Sequence, residues 1–399
     1  MKIRVGVFFG GKTVEHEVSV ISAMQAIAAL DREKYEVVPV YITKDSRFFT
    51  GEVFLKDGWY RDIPAALAAG VRVLPVRDGG EARLLRHPAP RFGKAVCAVL
   101  DVALPVVHGT NVEDGALQGF LEYLDLPYAG PDVAASAIGM DKWAMKALFR
   151  AQQLPVCDGV RLTAAQWFAE PDEARARVLG AVGLPCVVKP VNLGSSVGIG
   201  FARDEETLAQ CIADALSYAP VVLCERAVQN LREINCAVLG DRDGVRVSVC
   251  EEPLNATDVL TYRDKYMAQN GAKGAKTEGS SGMAQLARRV PADLTPEQAQ
   301  TAQSLAEQAF LAIDASGCAR VDLLLDGKTG VFTVNEINTI PGSLAFYLWE
   351  ASGLSFSGLL DELISLALKR RRELDALQRS FDVNLLQNAS LGGAKGAKR

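Results

Sequence analysis

Histidine is almost missing from this 399-residue chain, with three copies at positions 16, 87 and 108. That scarcity argues against a histidine-built metal site, so a metal, if used, would take oxygen ligands, which favours magnesium. No C-x-x-C occurs among the eight cysteines, which stand singly at 97, 157, 186, 211, 224, 236, 250 and 318. This distribution suits neither a zinc site nor a disulfide framework, and apolar settings such as LPCVVK and YAPVVLCE predict buried, reduced thiols. No run is long and apolar enough to span a bilayer, and no apolar leader follows the basic N-terminal residues. A cytoplasmic protein without membrane contact is therefore expected. A strong charge excess is lacking too. The net charge of −5 and pI near 5.5 give nucleic acid no bulk attraction.

What is present is an ordinary globular balance, 49% hydrophobic and 23% charged residues, in a length that suits two or three domains. The first stretch alternates strand and helix signals: IRVGVFF, a helical spacing over 17–30, then YEVVPVYI. Residues 51–93 read as an irregular, insertion-like surface region. AVLDVALPVVHG, 98–109, reads as one buried strand, followed by a helix through DGALQGFLEYL. Such alternation implies an α/β domain with a parallel sheet over 1–130. A central unit, 131–225, should begin with one helix over 133–153. It continues with strands LPCVVKP and SSVGIGFA around a tight Gly/Ser turn, and PVVLCERAV. A third unit, 226–372, carries strands INCAVLG, VRVSVC, ARVDLLLD and VFTVNEIN and a helix from 296 to 315. Thr295, Pro296 and Gln298 supply that helix's start chemistry. The two later units read as antiparallel α+β. The Gly- and Lys-rich stretch 265–285 reads as a mobile functional loop, and 373–399 as a helical, then disordered tail.

Near the start, GVFFGGKT (6–13) fits the phosphate-loop pattern G-x-x-x-x-G-K-[ST]. A phosphate loop needs its strand to end before the first glycine. Here Ile3, Val5, Val7, Phe8 and Phe9 predict a strand running through Gly6, and Glu15 and Glu17 follow where phosphates would lie. KAVCAVLD (94–101) imitates the apolar strand and Asp that hold magnesium in such ATPases, so that reading stands as the rival. VKPVNLGSSVGIG offers a second candidate: Lys189 ends a strand, and Gly194, Ser195 and Ser196 form a turn able to present N–H and hydroxyl groups to phosphate. The strongest signal is ARVDLLLDGKTGVFTVNEINTIPG. Glu336 and Asn338, two apart on a strand, share a face, and hairpin register can bring Asp322 beside them. The three make an oxygen-only cluster suited to magnesium on nucleotide phosphates, with Arg320 on the same face.

A lysine and Gly-rich turn on one antiparallel unit, with an Asp/Glu/Asn cluster on another, resembles the ATP-grasp fold. Within that fold the chain is similar to the D-alanine–D-alanine ligases. GGKTVEHEVS, HGTNVEDGALQG, PYAGPDVAASAIGMDK, VKPVNLGSSVG, KY at 265–266, ARVD and NEINTIPG occur in the family's order. The resemblance makes the phosphate-loop match accidental and implies a role for each matching residue. Glu15 would hold the ammonium of the first D-alanine, and His108 would line the donor site, supported by Glu113. Lys142 and Lys189 would contact ATP phosphates, as would the turn at Gly194 and Ser196. Glu225, Arg226, Val228 and Glu233 would surround adenine and ribose. Lys265 would reach phosphate, and Tyr266 would bond Ser195 and Glu15. Arg320 and the Gly342 N–H would stabilise the tetrahedral oxyanion. Asp322, Glu336 and Asn338 would hold two Mg2+, with Mn2+ as a substitute.

One departure concerns PGSLAFYLWE. Tyr347 stands where many members have the serine that holds the second substrate's carboxylate, with Leu348 retained. The acceptor is therefore expected to be D-alanine, with D-serine as nearest competitor, and the tyrosine at 266 favours an amine acceptor over D-lactate. The small-molecule substrates are ATP and D-alanine, and a homodimer is implied. A silent ATP-grasp paralogue would have lost magnesium ligands or Arg320, and none is missing.

Overall fold

The computed structural model describes residues 2–195, 197–254 and 288–378, and three sheets organise them. The first contains β1 (Ile3–Gly10), β2 (Tyr35–Ile42), β3 (Phe48–Thr50), β4 (Val71–Asp78), β5 (Glu81–Arg86), β6 (Val96–Leu100) and β7 (Val102–Pro105), in the order β6-β5-β4-β3-β2-β1-β7. β1 pairs in parallel with β2 and β7. The remaining pairs are antiparallel, so the expected parallel sheet is confined to one end. A parallel centre covered on both faces needs strands apolar throughout, and Val5, Val7, Phe8 and Phe9 are all fully buried. α1 (His16–Ala29) follows within a residue of its expected span.

The run 98–109 is not one strand. Arg4 grips Asp101, its backbone N–H and Nε donating to Oδ2 at 2.7 and 3.0 Å and its Nη2 to Oδ1 at 2.6 Å. At that pivot the chain leaves β6, paired with β5 on one edge, and enters β7, paired with β1 on the other. The same facts dispose of the phosphate loop. Gly6 lies inside β1, in register with Val38 and Ala103, Lys12 is exposed, and the imitation magnesium aspartate is held by Arg4.

Residues 51–93 are likewise not an ornament. They supply α2 (Ile63–Ala69), β4 and β5, and Phe54, Trp59, Val73 and Leu84 are buried in the first core. Trp59 stands edge-on to Tyr41 and Phe54, with ring centroids 4.9 and 5.0 Å apart.

After α3 (Ala116–Tyr123), the single helix expected over 133–153 is broken into α4 (Val133–Met140) and α5 (Lys142–Ala151). Asp141 makes the break, its carboxylate capping α5 by accepting from the Trp143 and Ala144 N–H groups at 2.9 Å. Lys142 is thereby set at the first turn of α5, next to the site.

The second sheet, β8 (Gly159–Thr163), β9 (Cys186–Pro190), β10 (Gly200–Ala202) and β11 (Val221–Arg226), is antiparallel in the order β10-β9-β11-β8. β9 ends at Pro190 and β10 begins at Gly200, a separation too long for the expected tight turn. The third sheet is β12 (Leu231–Asp241), β13 (Gly244–Pro253), β14 (Arg288–Arg289), β15 (Gly317–Asp326) and β16 (Phe332–Asn338), in the order β14-β13-β12-β15-β16. Its inner face packs Val321 and Leu323 against Phe310 of the helix Pro296–Ala312 and Met145 and Phe149 of α5. The opposite face carries Arg320 and Asp322. The helix Phe356–Asp375 returns to the first core through Leu359, Leu360 and Leu363. Six of the cysteines are buried as expected, whereas Cys97 is exposed and Cys211 half-buried, and all eight are free thiols. Among the described residues no single helix is long and apolar enough to cross a membrane.

If 51–93 is structural, Phe54→Ala should lower unfolding free energy by about 3–5 kcal/mol, read from the urea midpoint. A shift below about 0.5 kcal/mol is what an appended surface loop would give.

Candidate active site

Glu15 sits at the N-terminus of α1, yet its side chain makes no capping bond there. It turns to accept the Ser195 hydroxyl instead, across the loop that follows β9. Backbone crowds this carboxylate. A Cβ on Gly194 or Gly109 would lie 2.7 Å from Glu15 Oε2, so only glycine lets both segments approach. Glu15, Ser195 and Gly194 line one cavity together with His108, Glu113, Lys142, Arg320, Asp322, Glu336, Asn338 and Gly342.

A second cavity is walled by Lys189, Glu225, Arg226, Val228, Glu233 and Phe201, and it shares Asp322 and Glu336 with the first. The shared wall is built by register. Asp322 faces Glu336 across β15 and β16, and Arg320 faces Asn338. Arg320 holds Asp322 with two bonds of 2.6 Å, and Asn338 Nδ2 donates to the same carboxylate at 3.1 Å. The row continues sideways from Asp322 to Asn235 on β12 and Glu251 on β13.

The charges here are buried and paired. Lys142 donates to the Leu193 carbonyl at 2.7 Å and lies 3.3 Å from Glu336. Lys189 reaches Glu225 at 2.7 Å and Asn335 at 2.8 Å. Lys146, one turn after Lys142, also grips Glu225 and is itself fully buried. Burial alone would raise the Glu225 pKa, but Lys146 and Lys189 hold it down at about 2.

His108 has a defined tautomer. Its Nδ1 must donate to the Ile340 carbonyl, at 2.9 Å, because a carbonyl only accepts. Nε2 therefore accepts the Ser22 hydroxyl at 2.9 Å, and Ser22 Oγ accepts the Ser343 N–H at 2.9 Å. That N–H opens an unusual turn: Ser343, Leu344 and Ala345 have φ of 53°, 53° and 49°. Left-handed backbone costs a residue with a Cβ roughly 1–2 kcal/mol, so three in succession need firm anchors. Leu344 N–H bonds the Pro341 carbonyl at 2.7 Å, and the Cys318 thiol donates to the Leu344 carbonyl at 3.4 Å. Glu113 accepts the Gly109 and Ile340 N–H groups at 2.9 and 3.0 Å.

Most expected residues thus converge on the two cavities, with some displaced. Gly194 lies beside Glu15, not in the second cavity where a nucleotide contact was expected. The Leu348 side chain is fully buried in the first core and lines neither cavity. The Tyr347 hydroxyl, expected to meet an acceptor carboxylate, donates to Glu251 at 2.8 Å. Ser196, Lys265, Tyr266 and the loop 265–285 lie outside the described residues. Lys146, Asn335, Ser22, Asn235 and Glu251 were not anticipated. Only Lys146 left a trace, a lysine on the apolar face of MDKWAMKALF.

Comparison with known proteins finds matches over both parts of the chain. Residues 4–131 match the family described as D-ala D-ala ligase N-terminus, and residues 148–365 match D-ala D-ala ligase C-terminus. The D-alanine–D-alanine ligase of Bacillus cytotoxicus is 36% identical over 378 residues, 93% of this chain and 97% of that protein. D-alanine–D-alanine ligase A of Bradyrhizobium diazoefficiens is 37% identical over 392 residues, 95% and 99%. Among solved structures, the Coxiella burnetii D-alanine–D-alanine ligase superposes with a TM-score of 0.78 at 29% identity, covering 94% of this chain and 96% of that one. The VanG D-Ala:D-Ser ligase of Enterococcus faecalis gives 0.74 at 28% identity, covering 92% and 100%.

Burial lowers the His108 pKa to about 4 from 6.5. Between those values the unfolded chain binds a proton the folded ring refuses, so this contribution to stability is full above 6.5 and falls as pH drops towards 4. Glu113 acts oppositely: burial and the Glu15 carboxylate raise it to about 8 from 4.5, so its contribution fades as pH rises through 8. Comparing variants isolates the histidine. The stability advantage of wild type over His108→Gln should shrink by about 2 kcal/mol between pH 7 and pH 5 in urea titrations. A constant difference would mean that His108 is not held neutral.

Proposed function

This chain belongs to the D-alanine–D-alanine ligase family, and we propose that it joins two D-alanines into D-alanyl-D-alanine with conversion of ATP to ADP and phosphate. The dipeptide serves peptidoglycan precursor synthesis, and the reaction belongs in the cytoplasm, where ATP is available. The observation that carries this reading is the wall of Asp322 and Glu336 common to two cavities: one has Glu15 for an ammonium with Lys142 beside the shared wall, the other has Lys189 for phosphate.

The division of labour follows from charge. Glu15, fixed by Ser195, takes the ammonium of the first D-alanine and leaves that substrate's carboxylate towards the shared wall. Glu225, Arg226, Val228 and Glu233 surround the nucleotide base and ribose, while Lys142 and Lys189 take phosphate oxygens. The all-oxygen donor set of Asp322, Glu336 and Asn338 fits magnesium or manganese. Those three residues would hold two such ions, which neutralise charge on phosphate oxygens when bound. A carboxylate is a poor electrophile, so its oxygen first attacks the γ-phosphorus, ADP leaves, and D-alanyl phosphate forms. The neutral amine of the second D-alanine then attacks the acyl carbon. Arg320 and the Gly342 N–H hold the oxyanion until phosphate departs with the electron pair of the broken C–O bond. Lys265 and Tyr266 keep the roles the family resemblance gives them.

Phosphate release from Mg-ATP should require D-alanine, fail with L-alanine, and accompany a product with the mass of the dipeptide. Release without any amino acid would instead indicate a simple ATPase. Binding separates the two glycine-rich candidates. Lys189→Ala should weaken ATP about ten-fold or more, as loss of a charge-assisted bond does, while Lys12→Ala should change it less than about two-fold. The opposite pattern in isothermal titration would restore the phosphate-loop reading.

A further inference from the structure

Tyr347 occupies the position at which an acceptor ligand was expected, but its surroundings describe a different task. Its hydroxyl donates to Glu251, which is buried and carries two further donors: Arg288 at 2.8 Å and Asn235 Nδ2 at 3.1 Å. Arg288 also lies over the Tyr347 ring, 4.0 Å from its centroid. A hydroxyl bound to an anchored carboxylate is badly placed to receive a second carboxylate, because like charges would then share one proton. Among the described residues, neither Tyr347 nor Glu251 lines the cavity that holds Glu15 and Gly342.

What Tyr347 does hold is the end of the left-handed turn. The segment between Gly342 and Tyr347 has Ser343, Leu344 and Ala345 all at positive φ, a conformation that relaxes unless both ends are tied. At the near end, Ser343 N–H is tied to Ser22 and through it to His108. At the far end, Tyr347 is tied to Glu251 on β13. Glu251 belongs to the cross-strand row that runs through Asn235 to Asp322, so the tie reaches the sheet that carries Arg320. The two groups assigned to the oxyanion, the Arg320 guanidinium and the Gly342 N–H, are thereby set at a fixed separation.

Resting on the ligase reading, we propose that Tyr347 is a positioning residue: its hydrogen bond to Glu251 holds the strained turn 343–345 so that the Gly342 N–H points at the tetrahedral oxyanion. It acts on the second chemical step and not on acceptor binding. A contact felt only in the transition state changes kcat, whereas an acceptor ligand changes KM.

The test is Tyr347→Phe, which keeps the ring under Arg288 and removes only the hydroxyl. D-alanine-dependent scrambling of the β,γ-bridge oxygen in isotope-labelled ATP reports acyl phosphate formation and should stay within about two-fold of wild type. The acceptor KM should also stay within about two-fold, while kcat for dipeptide falls about ten-fold or more and phosphate released per dipeptide rises. A ten-fold rise in KM with kcat kept would make Tyr347 an acceptor ligand and overturn the proposal, as would unchanged kinetics. Should Tyr347→Phe not fold, Ser22→Ala loosens the other end and must show the same kcat-only loss, failing which the proposal falls. Absence of dipeptide from wild type is a separate result, because it rejects the ligase activity before any variant is compared.

Discussion

A buried charge must be answered by an opposite charge, and the site is arranged around that requirement. Glu225 lies between Lys146 and Lys189, Asp322 lies in the fork of Arg320, and Glu336 lies near Lys142. Arg320 and Asp322 are two apart on β15, whereas the other pairs join elements distant in sequence. The Glu225 pairs tie α5 and β9 to β11, and the Lys142–Glu336 contact ties α5 to β16. Removing one partner from such a pair typically costs about 3–5 kcal/mol, because the other is left uncompensated. These contacts therefore fix the second and third sheets relative to α5 as firmly as a hydrophobic seam does. On the proposed reading, phosphate has to compete with carboxylates for the same lysines.

Against this electrostatic frame, the backbone is allowed to be unfavourable in one place. Three successive residues with Cβ atoms adopt left-handed φ after Gly342, where a polymer free to choose would not. The neighbours over-determine the turn: Ser22 and His108 hold its start, the Cys318 thiol holds its middle carbonyl, and Tyr347 holds its end. Strain of this kind persists only where surrounding structure enforces it, and it concentrates where an N–H must point into a cavity. That is the position of Gly342.

Much of this was legible in the residues. β1 and β2 announce themselves by unbroken apolar runs, and the helix Pro296–Ala312 by Thr295 and Pro296. Asp322, Glu336 and Asn338 follow from strand alternation with one guess at register, which the hairpin satisfies. The failures have a common cause. An apolar run says that a strand is buried but not which neighbour it joins, so the Asp101 pivot between β6 and β7 was invisible without Arg4. Phe54 and Trp59 looked like surface residues because their apolar partners, Phe9 and Tyr41, come from β1 and β2. Asp141 did carry a local signal, a capping side chain inside a helical pattern. It was outweighed by the apolar spacing on either side. Tyr347 and Leu348 could be aligned with a motif, but alignment gives position along the chain and not direction. Once the turn is left-handed, the one faces Glu251 and the other faces the core.

The accidental phosphate loop shows why spacing alone is weak evidence. Its pattern requires backbone N–H groups that converge on an anion, and convergence requires a loop. In GVFFGGKT the N–H groups of positions 6–9 belong to a strand flanked on both sides, by β2 and by β7, so they point outward along the sheet. The last two letters, Lys12 and Thr13, do fall beyond the strand, yet Lys12 is exposed and Thr13 accepts the backbone N–H of Glu15, an anion of the protein itself, at 3.2 Å. A carboxylate at that place repels phosphate and attracts an ammonium. The residue that spoils the one reading is therefore the residue proposed to take the substrate ammonium. The same argument runs through GSSVG, where Ser195 is turned to Glu15 and the lysine two positions into the strand end, Lys189, is turned to Glu225. The end of β9 and the segment that follows it are thus divided between the two cavities, and the carboxylates of Asp322 and Glu336 are where the two cavities meet.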